Sequence, residues 1–272
     1  MAWLPIIILA LVQGITEFLP ISSSGHLILV HTVFGEAQSW EYTKILDVAV
    51  HVGTLFAVLL YFRKDVAIMI KGIVPFFRLD FKNSAAALNL HILIASVPII
   101  IAGFLLHLWQ PSWLLLTEIV AWTTLIFGIV LWIADTKTDT HKTNDELTAK
   151  DALLIGCAQI LALIPGTSRS GITMTMSRFL GYNRTESARF SLLLSIIAIT
   201  GAGALGALDV IKSDNASLGL DVLIAMILSF VSGWISIALM MKWLQKMTFT
   251  PFAIYRIILG AGLLIILYGG FV

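Results

Sequence analysis

Long apolar stretches separated by short polar segments dominate the chain. Six of them are long enough to cross a bilayer as helices, because a spanning helix needs about 20 apolar residues. These predicted spans are 43–62, 89–108, 114–134, 186–210, 221–243 and 250–271. The pattern predicts an all-α integral membrane protein.

Two further apolar regions are each interrupted by a polar turn. Residues 3–19 and 24–35 flank the first turn, and residues 149–164 and 170–181 flank the second. These pieces are short for a crossing, and irregular backbone at membrane depth is tolerated only where protein buries it or water reaches it. We therefore predict that each region is a re-entrant helix-loop-helix hairpin, which brings the expected number of hydrophobic helices to about ten.

The two interrupted regions resemble each other. A shift of 146 residues, without a gap, places Gln13 on Gln159, Ser22 on Ser168, Ser24 on Ser170 and Gly25 on Gly171. Each region also precedes three predicted spans. Since three is an odd number of crossings, the second half is predicted to lie upside down relative to the first, as an inverted-topology repeat whose sites lie near the bilayer midplane.

The chain is accordingly predicted to form one polytopic membrane domain over residues 1–272. The first repeat covers about 1–134, and the second covers about 149–272. The polar segment 135–148 is predicted to be a solvated linker between them. The mixed basic and aromatic segment 63–88 is predicted to lie at the headgroups.

Composition agrees with a lipid-embedded protein and excludes several other classes. Hydrophobic residues make up 58% of the chain and charged residues 12%, against about 45–50% and about 25% in soluble proteins. The net charge of +1 gives no general attraction to nucleic acid. With Cys157 as its one cysteine, the chain has no intrachain disulfide and no cysteine-based metal cage. Residues 2–19 lack a preceding basic region, so we predict that they belong to the mature protein rather than to a secretory signal.

The positive charges predict the orientation in a bacterial plasma membrane. In the inverted-repeat topology, thirteen Lys and Arg residues lie on or beside one side, and only Lys44 and Lys212 lie on the other. The positive-inside rule makes the basic side cytoplasmic. Both termini and the mouth of the first hairpin are then predicted to face the outer, periplasmic side. The thirteen basic residues are Arg63, Lys64, Lys71, Arg78, Lys82, Lys137, Lys142, Lys150, Arg178, Arg184, Arg189, Lys242 and Lys246.

The first turn carries a concentration of chemically active residues. Glu17 lies inside an apolar helix, where a carboxylate is costly unless it is paired or hydrated, and Gln13 shares its helix face. Ser22, Ser23 and Ser24 can cap the next helix, whose first amides suit a phosphate. His26 follows Ser23 by three residues, so the two are candidates for a nucleophile and its base, and a water activated by His26 is the alternative nucleophile. The alternative is that the serines only cap a kinked helix. The candidate residues of this turn are Gln13, Glu17, Ser22, Ser23, Ser24, Gly25 and His26.

The second turn offers donors to phosphate oxygens. Arg169 provides a planar fork of donors and stays charged, although it could serve only as a structural ion pair with Glu17. The glycines allow close approach of the backbone to a ligand, and the hydroxyls supply further donors. The candidate residues here are Gly166, Thr167, Ser168, Arg169, Ser170, Gly171 and Thr173.

Three residues have roles that the residue pattern leaves open. Glu17 either holds a divalent cation that bridges phosphates or orients His26 or a water. His51 is a candidate for substrate binding from the third helix. Arg256 either pairs inside the bundle or extends to the membrane surface. The spacing alone predicts an anion site in a membrane protein.

The two turns resemble those of the bacterial undecaprenyl-diphosphatase family, the membrane enzymes also called bacitracin-resistance proteins. The matching stretches are Gln13 to His26, Pro165 to Thr173 and Thr250 to Arg256, and the resemblance covers essentially the whole chain. It implies hydrolysis of undecaprenyl diphosphate to undecaprenyl phosphate and inorganic phosphate at the outer face, which recycles the lipid carrier for cell-wall synthesis and gives bacitracin resistance.

The family's catalytic acid, serine, histidine and arginine fall on Glu17, Ser23, His26 and Arg169. The family is thought to need Mg²⁺ or Ca²⁺, for which Glu17 is the candidate ligand. The family's first acidic position is Gln13 here, which departs from a two-carboxylate site, so the lipid phosphates are expected to complete the cation's ligands. The main competing interpretation is a transporter or flippase for lipid phosphates, because inverted repeats with broken helices are common in carriers. A third interpretation is a purely structural membrane scaffold.

Overall fold

A computed structural model describes residues 3–34, 40–109, 111–138, 141–212 and 219–269. These residues form twelve α-helices and no β-strand, in agreement with the all-α prediction. In chain order the helices are α1 (Trp3–Thr16), α2 (Ser23–Phe34), α3 (Trp40–Tyr61), α4 (Arg63–Lys71), α5 (Ile73–Phe77), α6 (Ser84–Trp109), α7 (Thr117–Lys137), α8 (Ala149–Gln159), α9 (Arg169–Phe179), α10 (Arg184–Lys212), α11 (Leu220–Leu244) and α12 (Thr250–Tyr268).

Six helices are long and apolar enough to cross a membrane, and they correspond to the six predicted spans. Helix α7 begins at Thr117 rather than at residue 114, because Ser112–Leu115 forms a separate 3₁₀ turn after Pro111. The chain is therefore a multi-pass membrane protein. The candidate spans are Thr43–Tyr61, Ser84–Trp109, Thr117–Lys137, Arg184–Gly206, Leu220–Leu244 and Thr250–Tyr268.

Each interrupted region folds as two short helices that pack on each other across a turn. In the first region α1 ends at Thr16 and α2 begins at Ser23. In the second region α8 continues into a 3₁₀ turn at Ile160–Leu163 before α9 begins at Arg169. The polar residues of both predicted turns thus lie between helices or in the first turn of a helix.

Glycines allow α1 and α8 to lie directly against spanning helices. A Cβ atom on Gly14 of α1 would lie 1.9 Å from Oγ of Ser232 in α11. A Cβ atom on Gly156 of α8 would lie 2.5 Å from the carbonyl oxygen of Ala95 in α6. Each short helix is therefore packed against a span from the other half of the chain. Among the spanning helices, α7 packs along α12, and α3 packs against α10 and α11.

A buried ion cluster connects the end of α7 to α9, α10 and α12. The carboxylate of Asp135 is fully buried and accepts hydrogen bonds from Nε of Arg184 at 2.7 Å and from the backbone N–H of Phe249 at 2.8 Å. Nε of Arg178 lies 3.3 Å from the same carboxylate. This cluster holds the start of the segment 135–148 against the second half of the chain.

We expect Asp135→Asn to lower the free energy of unfolding by about 3–5 kcal/mol, because a buried ion cluster that loses one partner leaves charge uncompensated. The midpoint of thermal unfolding in detergent measures this loss. Asp145→Asn makes the same chemical change at an exposed site and should leave the midpoint in place. Equal midpoints for the two variants would show that the cluster does not stabilise the fold.

The short helices α4 and α5 occupy most of the segment between α3 and α6. The side chain of Asp65 in α4 accepts a hydrogen bond from Nε of Arg189 in α10 at 3.0 Å. Phe77 is 79% exposed and Leu79 is 74% exposed. The segment is thus attached to α10 while it presents apolar side chains beside basic ones, which is typical of an interfacial segment.

Candidate active site

The first turn is closed by its own serine. Ser22 has a left-handed backbone with φ of 74°, which is uncommon for a residue other than glycine. Its Oγ accepts a hydrogen bond from the N–H of Gly25 at 3.3 Å. A serine in this position caps the helix that follows it, so α2 begins directly at the turn.

The second turn has the same geometry. Ser168 also has a left-handed backbone, with φ of 72°, and its Oγ accepts a hydrogen bond from the N–H of Gly171 at 3.1 Å. Oγ of Ser168 lies 3.2 Å from Oγ of Ser170, and the equivalent atoms of Ser22 and Ser24 lie 3.4 Å apart. Two serines separated by 146 residues therefore cap α2 and α9 in the same way.

The two turns meet. Nη2 of Arg169 donates to Oε1 of Glu17 at 3.2 Å, and Oγ of Ser170 donates to the carbonyl oxygen of Leu19 at 2.9 Å. The N-termini of α2 and α9 are brought to the same place by these contacts. Helix N-termini carry partial positive charge and free N–H groups, so their convergence favours a bound anion.

The carboxylate of Glu17 is the centre of the site. The residue is 8% exposed. Its Oε1 accepts from Arg169, and its Oε2 accepts from Oγ of Ser23 at 2.6 Å and from Nε2 of Gln13 at 3.1 Å. The hydroxyl proton of Ser23 thus points at a carboxylate that can receive it.

His26 contacts a different set of atoms from the one that the sequence predicts. Its Nδ1 lies 2.7 Å from the carbonyl oxygen of Ser22, which can only accept, so Nδ1 carries the proton. In the neutral imidazole Nε2 is then the acceptor, and the hydroxyl of Tyr255 donates to it at 2.6 Å. The rings of His26 and Tyr255 also stack, with centroids 5.8 Å apart. Both ring nitrogens are therefore occupied by other partners, and Ser23 is paired with Glu17 instead.

Helix α10 supports Arg169 from the other side. Nη1 of Arg169 donates to the carbonyl oxygen of Ser191 at 3.3 Å, and Oγ of Ser191 lies 2.7 Å from Oγ1 of Thr173. Thr173 also donates to the carbonyl oxygen of Arg169 at 2.8 Å. The sequence predicts a role for Thr173 but none for Ser191, because Ser191 lies in a predicted span and belongs to neither turn.

Arg256, whose role the sequence leaves open, joins the two turns. Its side chain is fully buried. Nη2 donates to the carbonyl oxygens of Gly166 and Thr167, each at 2.8 Å, and Nη1 donates to that of Pro20 at 3.4 Å. These acceptors are neutral, so the guanidinium adds a positive charge next to the backbone of both turns.

The other predicted residues lie in or near the turns, with one exception. Gly166 has φ of 89°, and a Cβ atom there would lie 2.1 Å from Oγ1 of Thr123. The buried hydroxyl of Thr167 has no hydrogen-bond partner among the described residues. His51 is the exception, since its Nδ1 lies 2.6 Å from the carbonyl oxygen of Asp47 and its side chain lines a groove between α3 and α10.

The donor set suits an oxygen-preferring cation only in part. Glu17 supplies one carboxylate, and Oε1 of Gln13 is a buried oxygen without a hydrogen-bond partner in the part of the chain that the structure describes. The described part of the chain contains no group of three or more His, Cys, Asp or Glu side chains placed to hold a metal. Mg²⁺ and Ca²⁺ take six or more oxygen ligands. Glu17 and Gln13 therefore fit such a cation if most of its ligands come from outside the protein.

Comparison with known proteins identifies the family of the chain. The family model described as "Bacitracin resistance protein BacA" matches residues 6–262. The protein named undecaprenyl-diphosphatase from Hahella chejuensis is 46% identical over 269 residues, which cover 98% of this chain and 99% of the relative. Proteins with the same name from Dinoroseobacter shibae and Jannaschia sp. are each 44% identical, over 97% and 98% of this chain and 98% and 100% of their own length. The chain belongs to the bacitracin resistance protein BacA family.

Proposed function

We propose that the protein hydrolyses undecaprenyl diphosphate to undecaprenyl phosphate and inorganic phosphate. The observation that carries this proposal is the hydroxyl of Ser23, hydrogen-bonded to Glu17 beside Arg169 at the N-termini of two helices. Phosphoryl transfer needs little more than a positioned nucleophile and positive charge at the phosphate oxygens. The name shared by the relatives supplies the substrate.

In this proposal Ser23 attacks the terminal phosphorus, and Glu17 accepts the hydroxyl proton. The bond from that phosphorus to the bridging oxygen breaks, and undecaprenyl phosphate leaves. Glu17 passes this proton to the departing undecaprenyl phosphate and becomes a carboxylate again. Glu17 then deprotonates a water, which attacks the phosphoserine. The bond between phosphorus and Oγ of Ser23 breaks, the proton returns to Oγ, and inorganic phosphate leaves. The hydrogen bond of 2.6 Å between Ser23 and Glu17 supports this assignment of the base. His26 holds the turn through its contact with the carbonyl oxygen of Ser22.

Arg169 and the first amides of α2 and α9 hold the phosphate oxygens. The hydroxyls and glycines of the turns, together with the side chain of Gln13 in α1, form the rest of the phosphate site in this proposal. We assign this binding role to Gln13, Ser22, Ser24, Gly25, Gly166, Thr167, Ser168, Ser170, Gly171 and Thr173.

A divalent cation, Mg²⁺ or Ca²⁺, fits the proposal. Glu17 and Oε1 of Gln13 would hold it, and the phosphates of the lipid would complete its ligands. When bound, the cation supplies positive charge that offsets the charge of the diphosphate. The cation would also be a partner for the buried Oε1 of Gln13, which has no hydrogen-bond partner among the described residues.

We also propose that the chain is an inverted-topology repeat with re-entrant hairpins at α1–α2 and α8–α9. Four observations support it: the matching residues at a shift of 146, the matching serine caps, the packing of α1 on α11 and of α8 on α6, and the concentration of Lys and Arg on one predicted side. In this arrangement residues 1–134 and 149–272 are the repeats.

The site then opens to the outer side of the bacterial plasma membrane. There its product serves cell-wall synthesis, and its activity counters bacitracin.

A transporter or flippase for lipid phosphates is the second candidate, because it would use the same binding groups. A carrier has no need of a nucleophile next to a base. The close pairing of Ser23 with Glu17 therefore favours the phosphatase.

Release of inorganic phosphate from undecaprenyl diphosphate tests the function. We expect the purified protein in detergent to release phosphate, to lose most of this activity with a chelator, and to regain it with Mg²⁺ or Ca²⁺. Ser23→Ala should be inactive, and acid quenching during turnover should trap phosphoserine in the wild type. Binding of the lipid without phosphate release would favour the carrier, and full activity of Ser23→Ala would exclude Ser23 as the nucleophile.

Arg256→Met should lower kcat by about 100-fold, because a shift of about 1 Å between reacting groups has that effect. The methionine cannot hold the carbonyl oxygens of Pro20 and Gly166 together. Arg256→Lys keeps the charge and one of the contacts, so it should restore part of the rate. The phosphate-release assay measures both variants. A wild-type rate for Arg256→Met would show that this arginine does not position the turns.

A further inference from the structure

A groove between α3 and α10 lies apart from the phosphate site. It has a volume of about 220 Å³ and is lined by Lys44, Asp47 and His51 of α3 and by Ala202, Gly203 and Gly206 of α10. Both helices belong to the candidate membrane spans. Lys44 is the second residue of its span and Gly206 is the last residue of its own, so the groove lies near one end of both spans. It has a polar wall on one side only.

The wall formed by α10 is bare backbone. A Cβ atom on Gly203 would meet no heavy atom within 4 Å, so the space beside this glycine is open. Ala202 adds only a methyl group, and Gly206 packs against Val48 of α3. The result is a smooth apolar face that a lipid chain can lie on without displacing protein side chains.

The wall formed by α3 carries a row of polar groups. Lys44, Asp47 and His51 are spaced three and four residues apart, which places them on one face of the helix. Oδ1 of Asp47 lies 3.1 Å from Nε2 of His31 in α2, so this carboxylate has a partner outside the groove. Lys44 contributes a positive charge. His51 uses Nδ1 for the carbonyl oxygen of Asp47, so its Nε2 is the atom left to donate to an anion when the ring is protonated.

Helix α3 runs from the groove towards the residue that follows Glu17. The ring of Phe18, which follows Glu17, and the methyl group of Thr54 both lie within 3.5 Å of the position that a Cβ atom on Gly233 would take. His51 is three residues from Thr54, about one helical turn away. Lys44 is about 10 Å further along the helix axis, since seven residues rise by that distance.

We propose that this groove is an entry site that binds the lipid substrate where its diphosphate joins the prenyl chain. Lys44 and His51 hold phosphate oxygens, and the first prenyl units lie on the bare face of α10. The proposal rests on the proposed function, because it identifies the ligand as the substrate of the neighbouring site. A polyprenyl diphosphate fits the groove because it is apolar on one side and anionic on the other, as the two walls require.

Gly203→Leu and Gly201→Leu form a matched pair that tests the apolar wall. A Cβ atom at either glycine meets no heavy atom within 4 Å, so neither variant disturbs packing next to the backbone. Two residues turn a helix by about 200°, so the leucine at 201 points away from the groove. We expect Gly203→Leu to raise KM for undecaprenyl and farnesyl diphosphate about tenfold, the effect of roughly two buried methylene groups, with kcat within about twofold of wild type. Gly201→Leu should behave as wild type.

Lys44→Gln tests the charged wall. We expect it to raise KM about three- to tenfold at low salt, with kcat unchanged, and to weaken the dependence of kcat/KM on salt, because the attraction between Lys44 and the diphosphate is screened by ions. If Gly203→Leu does not fold, Ala202→Leu fills the same groove from an exposed position.

The outcomes separate this inference from the proposed function. A wild-type protein that releases no phosphate would remove both. An active wild type with unchanged KM in Gly203→Leu or Ala202→Leu would overturn the prenyl site alone. An equal rise of KM in Gly201→Leu would also overturn it, since the effect would then not come from filling the groove.

Discussion

Replacing Glu17 with glutamine is expected to lower kcat by about 10³-fold or more, which is within the range for loss of a general base together with a charge that orients a catalytic group. Glutamine keeps the size of the side chain. It cannot take the proton of Ser23, and it offers Arg169 no negative charge. Phosphate release at saturating undecaprenyl diphosphate measures the effect.

The control for this variant is Glu118→Gln. Glu118 is a carboxylate in the first turn of α7, where it accepts a hydrogen bond from the hydroxyl of Tyr268. The same chemical change at this position should leave kcat at the wild-type value. A tenfold change in rate corresponds to about 1.4 kcal/mol, the free energy of one pKa unit. If Glu17→Gln kept more than about a tenth of the wild-type rate, the loss would be smaller than this, and the carboxylate would not be the base.

Arg169→Met should reduce kcat by about 10³- to 10⁵-fold, the effect of removing an arginine that stabilises a transferring phosphoryl group. The guanidinium bonds Glu17 and the carbonyl oxygen of Ser191 at the same time, which fixes its direction. A lysine has a single ammonium and lacks the planar fork, so Arg169→Lys should recover only about tenfold of the loss, as expected for charge without geometry.

Arg189→Lys is the matched control for Arg169→Lys. Arg189 lies on α10, as Ser191 does, and pairs with Asp65 and Glu186. The exchange keeps these ion pairs and lies outside the turns, so the rate should stay at the wild-type value. A similar loss in both lysine variants would indicate a general effect on the bundle rather than a role of Arg169 at the phosphate.

The membrane spans could be predicted from the sequence because each is an uninterrupted apolar run, and length decides whether such a run can cross a bilayer. The two turns could be predicted because proline, glycine and serine interrupt otherwise apolar segments. The start of α7 at Thr117 could not be predicted in this way. The 3₁₀ turn before it depends on Pro111 and on local hydrogen bonds, which hydropathy does not report.

The residue types of the site could also be predicted, but their pairing could not. Spacing along α2 suggests that Ser23 faces His26, whereas the turn directs Ser23 towards Glu17 and leaves His26 with Tyr255. Ser191 and Tyr255 reach the site from α10 and α12. Contacts of this kind depend on how distant helices pack, and no local pattern encodes them.

Arg256 illustrates the same limit. A single arginine in an apolar helix can pair with an acid, extend to the surface or bind backbone. The structure selects the third, because the carbonyl oxygens of both turns point at the same place on α12.

A double-mutant cycle on Glu17 and Arg169 tests most directly whether the two turns form one site. The rates to compare are phosphate release by wild type, Glu17→Gln, Arg169→Lys and the double variant. When two residues act on the same bound group, the effects of their substitutions on the activation free energy are strongly non-additive. We predict that the double variant is little slower than the slower single variant. Independent effects, which multiply in the double variant, would contradict a single site built from both turns.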